Sequence, residues 1–428
     1  MRGLDRRSRN RLIERFRRTG SNNTDASLIE HRGRPAFTQF EAFKRMDLQR
    51  QASRRLGIDN PFFRSHATQA GARSRIGPAE VLNFSNYDYL GINGDQRLHQ
   101  AADTAITDYG TSVSASRLVA GERPFHREFE ASLAAVYDAD DAITFVSGHA
   151  TNVATIGYLF GPDDLVIHDD LIHNSARVGI ELAGAQRRSF AHNDLDALET
   201  LLAEQRDAFD RVLIVLEGLY SMDGDVPDLA RAIALRDRFG AFLMVDEAHS
   251  LGVVGERGLG SWEACGIDPR EVDIWMGTLS KTLSSCGGYI AGCSALIDML
   301  RYGAPGFVYS VGLAPPMAAA AQTALSIMQA EPERVERLQA NGTHFLEKAQ
   351  QLDINTGYSM GYCVVPALIG SSVQAVRASS RMLEAGINVQ PIIHPAVEER
   401  AARLRFFLSA EHTTEQIDTA LEALRECL

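Results

Sequence analysis

The feature that most constrains this chain is a series of short apolar runs with almost no polar interruption: Ala142–Val146, Leu165–Ile167, Val212–Leu216, Phe242–Val245 and Ile274–Met276. A strand with one wet face alternates apolar and polar residues, whereas a strand covered on both faces does not. These runs therefore predict parallel strands inside a layered domain. Helical stretches lie between them, such as Asp228–Phe239, which Gly240 closes in the C′ position. Strands alternating with helices imply an α/β fold with a mainly parallel sheet. In such sheets ligands sit beyond the carboxyl ends of the strands, and the unusual residues of this chain fall there.

The rhythm changes after Pro315-Pro316. An alanine-rich helix follows, then strands near Cys363–Leu368, Ile387–Val389 and Leu404–Leu408, and a last helix after Thr413-Thr414. The reading is of three parts: a basic extension and linker over residues 1–80, a large domain over 81–315, and a smaller α+β domain over 316–428. With 428 residues the chain is long enough to bury a large core and a second, smaller one.

Charge and cysteine content narrow the function. A formal charge of −12 argues against a general nucleic-acid binder. No apolar stretch approaches the roughly 20 residues of a membrane helix. The arginine-rich start, MRGLDRRSRNRLIERFRR, has no apolar segment behind it and is not a secretory signal. Five cysteines without a CxxC pair disfavour a disulfide framework or a zinc site and fit a cytoplasmic enzyme.

The run AFLMVDEAHS leaves Asp246, Glu247 and His249 at the carboxyl end of a buried strand. DEAH also occurs in NTPases, but their GxxxxGK[ST] phosphate loop is missing here. Further on, MGTLSKT places Thr278, Ser280 and Lys281 just past another strand. Desolvation at such a position lowers an amine pKa and suits Schiff-base chemistry. A buried carboxylate, Asp246, would keep the ring nitrogen of a pyridine cofactor protonated, so that the ring accepts electrons. In FVSGHATN the amides near Gly148 and His149 open a helix and can receive a phosphate. His173 of HDDLIHNSA offers a flat ring for stacking; its pairing with His168 as a metal site has poor ligand geometry, and no metal is expected.

Together these segments resemble the α-oxoamine synthases, pyridoxal 5′-phosphate (PLP) enzymes of fold type I that include aminooxononanoate synthases and serine palmitoyltransferases. The resemblance runs from about Leu82 to the C-terminus. It rests on NYDYLG (86–91), GTSVSASRLVAGERPFH (110–126), SGHATN, EGLYSMDGD (217–225), VDEAHSLG, GTLSKT and RLRFFLSAEHT (403–413). It implies the aspartate-aminotransferase-like fold and a homodimer with its sites at the subunit interface. By position it makes Lys281 the Schiff-base lysine and base, pairs Asp246 with the pyridine nitrogen and His249 with the phenolic oxygen, and stacks His173 on the ring. Thr278, Gly148 and His149 would hold phosphate with Ser280 assisting, Ser221 would lie near the phenolic oxygen, and Glu217 would be a supporting acid. Arg405 would clamp the amino-acid carboxylate with its two-pronged guanidinium.

Two departures carry information. Tyr87 stands where NDYLG has Asn, as in the YNYLG of serine palmitoyltransferases, which leans toward serine. Val311 of YSVGLAPP replaces the hydroxyl residue that usually reaches the partner subunit's phosphate. The YSVGLxPP form looks most like synthase domains of polyketide assembly lines. The activity implied is a decarboxylating condensation of serine, alanine or glycine with an acyl thioester, on coenzyme A or an acyl carrier protein, to an α-amino ketone. The rivals are an aminotransferase of the same fold and a non-catalytic partner subunit; retention of Lys281 speaks against the latter. An acidic carrier protein would find a basic docking face at residues 1–35, where Leu12, Ile13 and Phe16 can form one apolar edge and the arginines face outward. The plainer reading of that segment is a solvated extension.

Overall fold

The computed structural model describes residues 35–55 and 60–428. The basic segment with Leu12, Ile13 and Phe16 lies outside the described residues. The chain divides into two compact units between Asn60 and Pro61. In the first, a 3-10 turn (Phe37–Gln39) precedes the helix Glu41–Arg55. No helix of the described residues is long and apolar enough to cross a membrane.

The second unit begins with β1 (Arg73–Ile76) and β2 (Ala79–Asn83). The strands β3 (Asp141–Phe145), β4 (Leu165–Asp169), β5 (Gln186–Phe190), β6 (Val212–Glu217), β7 (Phe242–Asp246), β8 (Ile274–Thr278) and β9 (Gly288–Gly292) then form one seven-stranded sheet. Its order is β3-β9-β8-β7-β6-β4-β5. The five strands from β8 to β5 are parallel, while β9 runs antiparallel to both β8 and β3.

The packing explains the unbroken apolar runs. Val212, Ile214 and Leu216 of β6 enter one hydrophobic core, while Leu213 and Val215 enter a second on the other face. Met244 and Val245 of β7 divide in the same way. Each such side chain contributes about 1.5–3 kcal/mol when fully buried, which is why these runs are apolar on both faces. The expected helix is found at Leu229–Phe239, with Asp228 capping it by accepting from the Arg231 N–H at 3.0 Å and Gly240 left-handed at φ 59°. Two strands escape the pattern. β5, QRRSF, is an edge strand with four exposed residues, and the glycine-rich β9 carries no long apolar run.

Beyond the helix Pro315–Ala330 and the helix Glu333–Gln351, a small sheet of order β10-β13-β12 joins β10 (Val364–Leu368), β13 (Arg403–Phe407) and β12 (Gln390–Ile392). The run expected as one strand at Ile387–Val389 is divided. β11 (Ile387–Asn388) pairs parallel with β2, whereas β12 pairs with β13. The chain passes from one sheet to the other through the fully buried Val389. The last helix, Thr414–Cys427, opens with a capping box between Thr413 and Gln416.

Candidate active site

Register alone brings the first acids together. Glu217 ends β6, Asp246 ends β7, and the two are direct partners across the parallel ladder. Asp246 is buried and tightly held: one oxygen accepts from Asn152 Nδ2 at 2.8 Å, the other from the Ala248 N–H at 3.0 Å. Glu217 accepts from the Ser221 N–H at 3.0 Å, and its other oxygen has no partner. Burial, reinforced by the neighbouring Asp246, pushes the Glu217 carboxyl up to about 8.

Lys281 lies three residues beyond β8, in the turn that leads back into β9. Burial lowers its amine to about 8, against the pull of Asp246 and Glu217. Its Nζ stands 5.7 Å from the centre of the Tyr87 ring, which is 42% exposed. An amine lowered toward 8 deprotonates far more readily than a solvated lysine and can serve as a nucleophile and a base, with the acids Asp246 and Glu217 close enough to act on it.

The histidines flank this pair. The buried His249 bonds through Nδ1 to the Tyr89 hydroxyl at 2.8 Å, and its ring lies parallel to that of Phe407. Desolvation, with the nearby charges of Lys281 and Arg405, holds its pKa well below the usual value. His173 caps the helix Asn174–Ala183, its Nδ1 bonded to the Ser175 hydroxyl at 2.6 Å. Desolvation also lowers the His173 pKa, and Lys281, His149 and Arg405 add to that against Asp246.

A third side is built from Gly148, at the start of the helix Gly148–Leu159, and from the end of β8. A Cβ on Gly148 would come within 2.6 Å of Thr278 Oγ1, so glycine lets the helix start press against this hydroxyl. Thr278 Oγ1 and Ser280 Oγ are 3.1 Å apart. Amides at a helix start beside two hydroxyls make a donor set suited to a phosphate.

The fourth side comes from β13. Its Arg403 and Arg405 share one strand face, being two residues apart. Arg403 ion-pairs with Asp223 at 2.7 Å and also donates to the carbonyls of Met222 and Ala401. Arg405 donates to the Ser221 carbonyl at 2.7 Å, and its buried Nε has no partner. Gly224 (φ 75°) turns the loop so closely over Val364 that a side chain there would strike the backbone.

Apart from Val311, the expected site residues line or border one cluster around Lys281. His149 and Ser280 are exposed at its rim, and Val311 is 46% exposed on the segment 309–312. Sequence reasoning missed Asn152 and Tyr89, which orient Asp246 and His249 respectively. Asn152 lies four residues after Gly148, one helical turn along, and that spacing was the available signal. Also missed was a clamp behind the site. His192 bonds to Asp169 at 3.0 Å through Nδ1 and to Asp225 at 2.9 Å through Nε2. Although burial opposes it, these two hydrogen bonds raise His192 to about 10.

The donor set fits PLP. A protected carboxylate, a desolvated amine, a phosphate cradle and unsatisfied buried atoms on Glu217 and Arg405 supply what its ring, aldehyde, phosphate and bound substrate require.

The comparisons agree. The model of the aminotransferase class I and II family matches residues 79–424. An 8-amino-7-oxononanoate synthase of Symbiobacterium thermophilum is 39% identical over 351 residues, covering 82% of this chain and 89% of that protein. The corresponding protein of Bacillus pumilus is 36% identical over 81% of this chain and 88% of its own length. Among solved structures, the serine palmitoyltransferase of Sphingomonas wittichii superposes with a TM-score of 0.86 at 26% identity, covering 92% of this chain and 98% of that one. A serine palmitoyltransferase structure carrying PLP gives the same TM-score at 27% identity and the same coverage. The chain belongs to the class I and II aminotransferase family and, within it, to the α-oxoamine synthases, PLP-dependent acyltransferases of fold type I.

Proposed function

We propose that this protein condenses a small amino acid (serine, alanine or glycine) with an acyl thioester and releases CO2 and a thiol, giving an α-amino ketone. The observation that carries the reading is the pairing of Lys281, lowered to about 8, with Arg405, whose buried Nε is free. One is a base aimed at a Cα proton, the other a fork with unused capacity for a carboxylate.

PLP, when bound, supplies an electron sink for the charge released at Cα. The chain's own groups do the rest. Asp246, oriented by the Asn152 and Ala248 donors, would hold a proton on the pyridine nitrogen. Lys281 Nζ would anchor the cofactor, then take up the Cα proton. His249, fixed by Tyr89, would present Nε2 to the phenolic oxygen, with Ser221 nearby. His173 would cover the ring and orient the thioester carbonyl. Gly148, His149, Thr278 and Ser280 would hold the phosphate, and Arg405 with Tyr87 the amino-acid carboxylate. Holding both substrates together can offset roughly 7–11 kcal/mol of the barrier.

In this reading residues 81–315 carry the cofactor, 316–428 form the small domain, and two copies of the chain assemble as a symmetric dimer. Tyr87 favours serine, whereas the relatives named above are 8-amino-7-oxononanoate synthases. The deciding experiment is a matrix of amino acids against acyl-coenzyme A and acyl-carrier donors, read by mass spectrometry of the amino ketone. A product formed from a keto acid acceptor with no thioester would replace condensation by transamination.

A further inference from the structure

The surface of the β1–β2 hairpin carries a feature that the condensation cluster does not use. Residues 68–75 and Glu80 enclose a groove of about 530 Å3 on the β1–β2 hairpin. Arg73 and Arg75 lie two apart on β1 and so share one face of the strand, and both are exposed. Among the described residues neither guanidinium has a hydrogen-bond or ion-pair partner. They stand on a chain whose formal net charge is −12. Glu80 is opposite Arg75 in the ladder, yet forms no ion pair with it. Two free cations are thus held at a polar concavity that Thr68 also lines, while the buried Ser74 hydroxyl is taken up by His66 Nδ1 at 2.7 Å and by Thr68 at 3.2 Å.

The groove is tied directly to the reaction cluster. Its wall at Gly71 receives hydrogen bonds on one carbonyl from both Asn83 Nδ2 (3.1 Å) and Asn86 Nδ2 (2.8 Å). The residue after Asn86 is Tyr87, the half-open ring over which Lys281 Nζ sits. The groove wall is thus joined, through one hydrogen bond and one peptide unit, to the ring that faces Lys281. A long ligand with an anion at one end and a reactive carbonyl at the other suits that arrangement.

We propose that this groove receives the phosphate end of the acyl donor's phosphopantetheine arm, an inference that rests on the condensation reading above. The phosphate is common to coenzyme A and to a carrier-protein arm, and a planar guanidinium pair binds it with charge-assisted hydrogen bonds. Arg73 and Arg75 act on donor binding and touch no reacting atom.

The test uses the PLP-loaded holoenzyme and its Arg73→Glu, Arg75→Glu and double variants. Each is assayed with octanoyl- and palmitoyl-coenzyme A, with the same acyl groups on a holo carrier protein, and on N-acetylcysteamine, which lacks the phosphate. Amino-acid binding, followed by cofactor absorbance, should be unchanged in all variants. The KM for phosphate-bearing donors should rise on the order of tenfold per arginine, with KM for the N-acetylcysteamine thioesters unaltered. A rise confined to coenzyme A donors or to carrier donors assigns the groove to that source. An equal rise for the phosphate-free donor, or no rise for any donor, overturns the groove as the arm's site. A wild-type enzyme that turns over none of the three donors sinks the condensation reading itself.

Discussion

Two histidine settings one strand apart show opposite uses of the same side chain. Behind the EGLYSMDGD loop, His192 is gripped by Asp169 and Asp225, and both ring nitrogens are spent. Its pKa rises to about 10, so it is a fixed cation that staples the loop to β4. At the reaction cluster, His173 and His249 are pushed the other way by desolvation and by Lys281, and each keeps a ring nitrogen without a partner in the protein. The β13 arginines repeat the contrast. Arg403 is held by Asp223 and two carbonyls, whereas Arg405 has a bare, buried Nε. Groups whose hydrogen bonds are all satisfied build the frame, and groups left partly unsatisfied are available for chemistry.

The sharpest way to break this division is to remove the desolvated amine at the centre of the cluster. Lys281→Ala should lower condensation by about 10³-fold or more, since general acid–base catalysis alone contributes 10²–10⁴-fold. Borohydride should then trap no cofactor on the chain. A trapped adduct in the Ala variant would move the anchoring amine elsewhere. In the wild type, PLP uptake by the apoenzyme should speed up with pH and level off above about 8, because only the neutral amine attacks an aldehyde. A rate that is flat from pH 6 to 9 contradicts the lowered amine.

Asp246→Asn should come next, with kcat down on the order of 10²–10³-fold while cofactor absorbance persists. The amide keeps the hydrogen-bond geometry of Asn152 but cannot hold a pyridinium charge. Complete loss of cofactor would instead make Asp246 a binding group.

Arg405→Ala should weaken amino-acid binding by about 1.5–3 kcal/mol, the range for a hydrogen bond to a charged group, with cofactor absorbance intact. The matching change Arg403→Ala should lower the melting temperature, with any fall in activity following from loss of the folded loop. If the two variants behave alike in binding and in melting, the ion-paired Arg403 and the partly unpartnered Arg405 do the same work.

The smallest effect belongs to the staple. The folded pKa of His192 is raised above its unfolded value, so its contribution is present in full below about 6.5. It declines as pH climbs and is lost as pH passes through about 10. The melting temperatures of wild type and His192→Gln should therefore differ most near pH 6 and converge near pH 10.5. A gap that widens with pH would mean that His192 is neutral in the folded protein.

Much of this site was legible before any coordinates. Asp246 and Lys281 stand at the ends of apolar runs, and a run buried on both faces delivers its last residue to one edge of a parallel sheet. The helix start at Gly148 was legible for the same local reason, a strand end followed by SGHATN. β5 and β9 were not, because an arginine-bearing edge strand and a glycine-rich antiparallel strand carry no run to read.

What the sequence determined by itself was the layered α/β fold and, through its motifs, the family and the candidate site residues, because burial periodicity and motif order are local properties of the chain. What only the tertiary structure decided was how those groups are divided between frame and chemistry. Nothing in RLR distinguishes Arg403 from Arg405, and nothing in AHND says that His192 is charged. Those outcomes depend on partners distant in the chain, Asp223 for Arg403 and Asp169 and Asp225 for His192. Desolvation and hydrogen bonding act through space, so the charge on a side chain is fixed only when folding has chosen its neighbours.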